Sequence, residues 1–507
     1  MTAFNYAQLL QLALPEVIVV VAALIALAID LLFLRASRTR LRFAVAAAIA
    51  SLGCAGAIFR LLQAPEQANI LDGMLIANPL THLVQIALLV LTILTLLISV
   101  DSNFTEHVGE FVLLILMATV GTMFLVGSQD LLVIFISLEL LSLSLYILTA
   151  FDKNSAQSSE AALKYFLFGG MSAAFLLFGF SLLYGLSNST SLPHIASAIQ
   201  AAYASNPHLN PLLAIAIITT VIGLGFKVAA FPFHFWVPDV YQGAPAPSAA
   251  FIASASKIAS FFIFFQLMVV GFAGAEGSAR WLHFLPGWAA VLAIVATLSM
   301  VLGNLVAIVQ SHVRRLLAYS AIAHAGYILL ALVAHTQQSL AALLYYVVTY
   351  ALATLGAFGV IAVVEHRTGG DRLSDFDGLS RREPILSACM FIFLLSLAGI
   401  PPLAGFFGKF YLFVSVLNAG PGLLWLVVLA IAMSAVSLYY YLLVLKRMYV
   451  ANPAVEVANP AGNAGTIRTP IFRQIIVALI AAAVVLLGCA PHLLLRWIQA
   501  AIQASGI

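Results

Sequence analysis

The chain has 507 residues, of which 63% are hydrophobic and only 8% charged, with a formal net charge of +3. Soluble domains carry about 25% charged residues, and no soluble core hides this much apolar surface, so the composition excludes a soluble globular enzyme and points to an all-α polytopic membrane protein. The small net charge gives no reason to expect nucleic acid as a partner. The three cysteines, Cys54, Cys389 and Cys489, lie in apolar runs without C-x-x-C spacing, so no metal site is expected.

An apolar stretch of about 20 residues crosses the hydrocarbon layer as a helix. Fourteen such spans follow one another near 11–33, 43–63, 78–100, 110–127, 130–150, 161–186, 211–236, 247–272, 287–309, 315–335, 340–363, 385–416, 422–445 and 471–496. The N-terminal stretch MTAFNYAQLL lacks a basic region, so the first span is expected to stay in the membrane rather than serve as a cleaved signal. Span 7 is interrupted by Pro232 and Pro238, and span 12 by Pro401 and Pro402. With this count, fifteen basic residues fall on one side: Arg35, Arg38, Arg40 and Arg42; Lys153; Arg314 and Arg315; Arg367, Arg372, Arg381 and Arg382; Lys446, Arg447, Arg468 and Arg473. Only Arg60, Arg280 and Arg496 fall on the other. The positive-inside rule then places both termini away from the cytoplasm.

The polar residues inside the spans carry the chemistry. Glu16 and Asp30 lie near the ends of span 1, where snorkelling to the interface is expected to satisfy them. Glu139, in FISLELLSLSLYIL, is a carboxylate deep in span 5, with Ser142 and Tyr146 at i+3 and i+7 on its face. Four basic residues remain inside spans: Lys164, Lys227, Lys257 and Lys409, none of them an arginine. An intramembrane charge costs roughly 2.5–3.5 kcal/mol on insertion scales. A lysine, unlike an arginine, can release its proton when desolvated, so these lysines are candidates for proton transfer. One deep carboxylate leaves most of them without an anionic partner.

Lys227 belongs to GFKVAAFPFHFWVPDVYQGAP, where His234 follows seven residues later as a possible relay. Asp239 and Tyr241 are expected to cap the broken helix at the surface. Lys257, in SASKIAS, has Ser254 and Ser260 at i−3 and i+3, a narrow polar stripe able to order water. His312 adjoins Arg314 and Arg315 and is assigned to the surface, whereas His324, in YSAIAHAGY, is a second relay candidate. Tyr346, Tyr350 and Thr354 recur every four residues of span 11 and either line a water path or stabilise packing. Lys409 follows GIPPLAGFFG, and irregular backbone at membrane depth is tolerated where it lines a cavity or is buried in protein.

These features fall into two sets. Spans 4–8 carry Glu139, Lys164 and Lys227; spans 9–13 carry His324 and Lys409; the proline-broken span is the fourth of five in each. Five is odd, so the second set is expected to be inverted relative to the first. The expected organisation is a three-helix segment (1–109), a first repeat (110–272), a second repeat (287–447) and a C-terminal helix with its tail (448–507). Lys257 lies at the seam. No Gly-rich phosphate loop, cysteine cluster or pair of haem-ligand histidines stands in the sequence.

Taken together, SLELLSLSLYIL around Glu139, ALKYF around Lys164, GFKVAAFPFHFWVPDVYQGAP around Lys227, SKIAS around Lys257, RLLAYSAIAHAGY around His324 and GIPPLAGFFGKFYLF around Lys409 resemble the antiporter-like membrane subunits of respiratory complex I, most closely the N-type subunits of bacterial NADH:quinone oxidoreductase. The resemblance runs from about residue 110 to 450. It implies fourteen core helices in two inverted five-helix repeats, with Glu139 modulating Lys227 and a central axis running through Lys257 to Lys409. It also implies that this chain binds no cofactor itself: NAD, FMN, iron–sulfur clusters and quinone belong to other subunits. The implied partners are an M-type antiporter-like subunit, small K-, J- and A-type membrane subunits and the lipid bilayer. A subunit of a multi-subunit Na⁺/H⁺ antiporter is the alternative.

Overall fold

The computed structural model describes residues 6–64, 67–205, 210–452 and 470–506. Among the described residues, thirteen helices are long and apolar enough to cross a membrane. The remaining predicted span, the twelfth, is a pair of shorter apolar helices, Pro384–Ala398 and Ala404–Ala419, which brings the count to the expected fourteen. The chain is an all-α polytopic membrane protein. Its strands are confined, among the described residues, to two small antiparallel hairpins, Ala68–Ile70 with Leu75–Ala77 and Ser278–Arg280 with His283–Leu285.

Caps fix where several spans begin. Asn78 and Thr81 form a reciprocal capping box at the start of Pro79–Ser99. Asp130 accepts from the Leu132 and Val133 amides ahead of Leu131–Thr149. Ser155 caps Ala156–Ser187, and Thr336 with Ser339 boxes the start of Gln337–Thr368. Each device satisfies amides that otherwise point at an apolar surround.

The bundle has a clear inside. The apolar windows of spans 8, 10 and 11 (Ala246–Gly271, Val313–Ala334 and Gln337–Thr368) are each 94% buried, against 28–33% for spans 1, 2, 6 and 13. Helices apolar all round belong in a core, and these three carry Lys257, His324 and the tyrosine stripe. Loops that alternate to one face bear the basic residues. The opposite face carries both hairpins, the helix Leu192–Ser205 and a final helix, His492–Ser505. Interactions on that face include Gln67 Nε2 donating to Ala504 O at 2.9 Å and Trp425 Nε1 to Ala279 O at 3.1 Å.

The structure departs from the sequence reading at four places. Pro238 does not break span 7. The helix Pro211–Val228 ends on Ala229 in the left-handed region (φ 67°), the chain turns through Pro232, and a new helix runs Trp236–Gly243. Pro238 lies in the first turn of that helix, where its missing N–H has no intrahelical acceptor to lose. Span 8, read as continuous, is interrupted at Ser254 (φ −118°, ψ −85°) and closes with a π-helical turn at Leu267–Gly271. Serine is too common in apolar spans to announce such a break. Span 14 ends at Cys489, so Arg496 belongs to the separate final helix. Glu16 and Asp30 do not snorkel. Both are buried, Asp30 in a two-pronged pair with Arg42 (2.7 and 2.6 Å) that also receives the Gly109 amide at 2.9 Å.

Candidate proton path

Three of the four intramembrane lysines are buried: Lys227 is 8% exposed, Lys257 2% and Lys409 5%. Among the described residues, none of the three has a carboxylate within ion-pair distance. Each instead holds neutral oxygens and an aromatic face, a setting able to support an ammonium without fixing it there.

Lys227 lies in the last turn of the first half of span 7, where the break ends the helix. Its Nζ donates to the Ser142 hydroxyl of span 5 and stands 5.4 Å from the Phe226 ring centroid and 5.7 Å from that of Tyr146. Ser142 and Tyr146 are the i+3 and i+7 neighbours of Glu139, so the predicted helix face is the one that meets the lysine. Glu139 itself is half-buried, one turn before Ser142 on the same helix. It borders an exposed apolar strip of Ile136, Leu143 and Ile147.

Lys257 donates to the Ala321 carbonyl of span 10 at 3.3 Å and lies 5.7 Å from the Tyr350 ring centroid. The interruption at Ser254 comes one turn before it and sets its direction into the core. The expected serine stripe does not contact the ammonium: the Ser254 and Ser260 hydroxyls bond back to carbonyls of their own span, at Ala250 and Ser256.

Lys409 lies on the second half of span 12 and reaches back over the break. Its Nζ donates to the Ala398 carbonyl at 3.0 Å and to the Ser434 hydroxyl of span 13 at 2.8 Å, with the Tyr327 ring centroid at 5.3 Å. Gly399, in the left-handed region (φ 87°), ends the first half-helix against the lysine stem. A Cβ there would come within 3.0 Å of Lys409 Cδ. The break thus frees a carbonyl at membrane depth and gives it an ammonium as partner.

Between Lys257 and Lys409 stands His324, 2% exposed, with Nδ1 2.8 Å from the Tyr346 hydroxyl and Nε2 3.2 Å from that of Tyr441. Tyr441 bonds on to Ser320, and the His324 ring packs on Tyr350 at 4.9 Å. A second branch runs from Tyr327, under Lys409, through Asn304 (2.9 Å) to Tyr440 (3.0 Å). The sequence reading missed Asn304, Tyr327, Ser434, Tyr440 and Tyr441. The signal was present, since a lone amide in MVLGNLVAIV and the run YYY in span 13 are unusual polar content for a span.

The remaining candidates are placed differently. Lys164 is not an interior lysine. Its side chain is 39% exposed at the basic face, paired with Glu160 at 2.7 Å and Asp239 at 2.8 Å. The sequence reading had left it without a carboxylate partner, because Asp239 is distant in sequence and Glu160 is one turn back at the helix start. Asp239 also accepts from Arg315 at 2.7 Å, joining spans 6 and 10 to the half-helix after the break. Burial pushes the Asp239 carboxyl up, but hydrogen bonds from Lys164 and Arg315 outweigh it and hold the group below the usual carboxylate range. His234 stacks between Phe231 and Phe235 (5.4 and 4.7 Å between ring centroids), its Nδ1 is buried without a protein partner, and no hydrogen bond joins it to Lys227. Tyr241, expected at the surface, is fully buried. Its ring meets that of Phe358 edge-on at 5.6 Å between centroids.

Comparison with known proteins places this arrangement. Residues 128–434 match the family described as NADH:quinone oxidoreductase/Mrp antiporter, TM. The NADH-quinone oxidoreductase subunit N 2 of Acidobacterium capsulatum is 54% identical over 98% of this chain and 100% of its own length. Subunit N of an Anaeromyxobacter species is 34% identical over 96% of both. A chain of respiratory complex I from Thermus thermophilus is similar at a TM-score of 0.76 and 33% identity, over 95% of this chain and 98% of that one. A chain of the Mrp complex from a Dietzia species has a TM-score of 0.80 at 20% identity, over 97% of both, a likeness of fold alone. On these matches, over nearly the whole length of the chain, it belongs to the family of N-type subunits of NADH-quinone oxidoreductase.

Proposed function

We propose that this chain is a proton-translocating membrane subunit of NADH:quinone oxidoreductase, in which quinone reduction on other subunits drives proton transfer through the lysine–histidine–tyrosine interior. The observation that carries the reading is the set of three buried lysines held by hydroxyls, carbonyls and aromatic faces rather than by carboxylates. An ammonium so held can give up its proton without leaving a buried carboxylate unpaired. Protons reach Lys227 or Lys257 from the cytoplasm, are retained as the Glu139 interaction switches, and leave past Lys409 with His324, Tyr346 and Tyr350 between. Lys164 acts at the cytoplasmic face through Asp239, and His234 lines the break. NAD, FMN, iron–sulfur clusters and quinone lie on the other subunits.

The position of Glu139 beside an exposed apolar strip supports a membrane partner there, because a carboxylate left against lipid is costly. An M-type antiporter-like subunit and small K-, J- and A-type subunits are the proposed neighbours, in a bacterial inner membrane with both termini periplasmic. The two repeats are bounded at 110–272 and 287–447, and the breaks at 229–235 and 399–403 are their matching features. Lys227→Ala in the assembled complex is expected to lower both quinone reductase turnover and proton pumping. Unchanged turnover with an unchanged H⁺/e⁻ ratio would refute the role of Lys227. The Na⁺/H⁺ antiporter alternative shares the fold and the family description, and isolation in mild detergent separates the two. Flavin- and cluster-bearing subunits co-purify in the first case and only small membrane subunits in the second.

A further inference from the structure

Outside the proton path, the N-terminal three-helix segment holds a cavity of about 550 Å³ on the face opposite the basic loops. It is walled by the start of span 1, the end of span 2, the hairpin 68–77 and the start of span 3. Its walls are apolar and polar in equal measure: Leu12, Pro15, Leu61 and Ile70 line it together with Glu16, Arg60, His82 and Gln85. Glu16 is 2% exposed. Gln85 Nε2 donates to its Oε1 at 3.0 Å, while Oε2 is buried with no partner. Arg60 Nε is likewise buried with no partner, its Nη1 reaches only the Gln63 Oε1 at 3.5 Å, and no ion pair joins Arg60 to Glu16 among the described residues. Two opposite charges that share one cavity and leave each other unpaired are each short of a counter-group, and an orphaned buried carboxylate is costly.

We infer that this cavity binds the headgroup of a zwitterionic aminophospholipid, with the ammonium on Glu16 and the phosphate on Arg60. Three features select that chemistry. The volume is that of a small-molecule site. The polar groups lie within two turns of the ends of their helices, the depth at which headgroups meet the hydrocarbon layer. The apolar side chains of the wall suit the glycerol and first acyl carbons. An anionic headgroup without an amine, such as phosphatidylglycerol, supplies no ammonium to Glu16, and a quaternary ammonium has no N–H to donate to it.

The test uses the full complex purified in mild detergent, with its retained phospholipid quantified by class. The wild-type complex is expected to hold one more phosphatidylethanolamine than complexes carrying Glu16→Gln or Arg60→Gln, and to be stabilised thermally by added phosphatidylethanolamine but not by phosphatidylglycerol or phosphatidylcholine. Ala68→Trp, which narrows the cavity and keeps both charges, should lose the same lipid, so the test stands even if a charge variant fails to assemble. Equal retention in all variants, or equal stabilisation by phosphatidylglycerol, would overturn the proposal. Full protection by soluble phosphoethanolamine would overturn the lipid as its source.

Discussion

Gly405→Ala is the sharpest probe of the broken twelfth span. A Cβ at Gly405 would lie 1.8 Å from the Ser396 carbonyl oxygen, where ordinary contact begins at 3.4 Å. The obstacle is backbone, so no rotamer change relieves it, and the two half-helices must separate by about 1.6 Å, the difference between those distances. Lys409 spans the same junction, donating across it to Ala398 O at 3.0 Å. A displacement of that size takes the contact past hydrogen-bond range. Overpacking costs about 1–3 kcal/mol, and a misplacement of about 1 Å at a working site can cost on the order of 100-fold in rate. The expected outcome is an assembled complex whose quinone-coupled proton pumping falls 10- to 100-fold. It is measured in inverted vesicles as turnover and H⁺/e⁻ ratio, with assembly checked on a native gel. Gly170→Ala, where an added Cβ meets nothing within 4 Å, is the control and should behave as wild type. Normal pumping by assembled Gly405→Ala would refute the claim that the close junction positions Lys409 for transfer.

Other outcomes follow from the same structure. Asp30→Asn leaves Arg42 buried without its carboxylate and is expected to destabilise the N-terminal segment by about 3–5 kcal/mol, read as earlier unfolding in a denaturant titration. The double replacement Asp30→Leu with Arg42→Met should recover most of that loss. Asp239 is held below its unfolded value, so its contribution to stability is present above the ordinary carboxylate range and is lost as pH falls through the folded value. Melting temperature on acidification should therefore fall less steeply in Asp239→Asn than in wild type. Asn304→Leu removes the link between Tyr327 and Tyr440. It should slow pumping without loss of assembly if the branch carries protons, whereas unchanged turnover with a lowered melting temperature would make it structural.

The number of spans and the two proline breaks were legible because each rests on a local rule: the length of apolar run needed to cross the bilayer, the sidedness of arginine and lysine, and the missing N–H of proline. Glu139 with Ser142 and Tyr146 was legible for the same reason, since helical periodicity alone puts them on one face. What sequence alone could not supply was partnership between distant spans. Lys164 looked like its three relatives in composition, yet Asp239, 75 residues away, draws it to the surface cluster. Asp30 looked like an interfacial residue, yet Arg42 returns twelve residues later to bury it. Tyr441 and Asn304 matter only because spans 9, 10 and 13 converge on His324 and Tyr327.

That difference bears on how the path works. A charge that finds a carboxylate in this structure, as Lys164, Arg42, Arg314 and Arg315 do, lies toward the basic face and ties helices together. Lys227, Lys257 and Lys409 find only dipoles and rings: the Ser142 hydroxyl of span 5, the Ala321 carbonyl of span 10 and, for Lys409, the Ala398 carbonyl at its own break. Full ion pairs would hold each proton against a barrier of several kcal/mol at membrane depth. Dipolar partners lower that barrier while still repaying part of the desolvation cost. On the proposed function the break and the buried lysine of span 12 act together, and a substitution that straightens that break should disable Lys409 as surely as replacing the lysine itself.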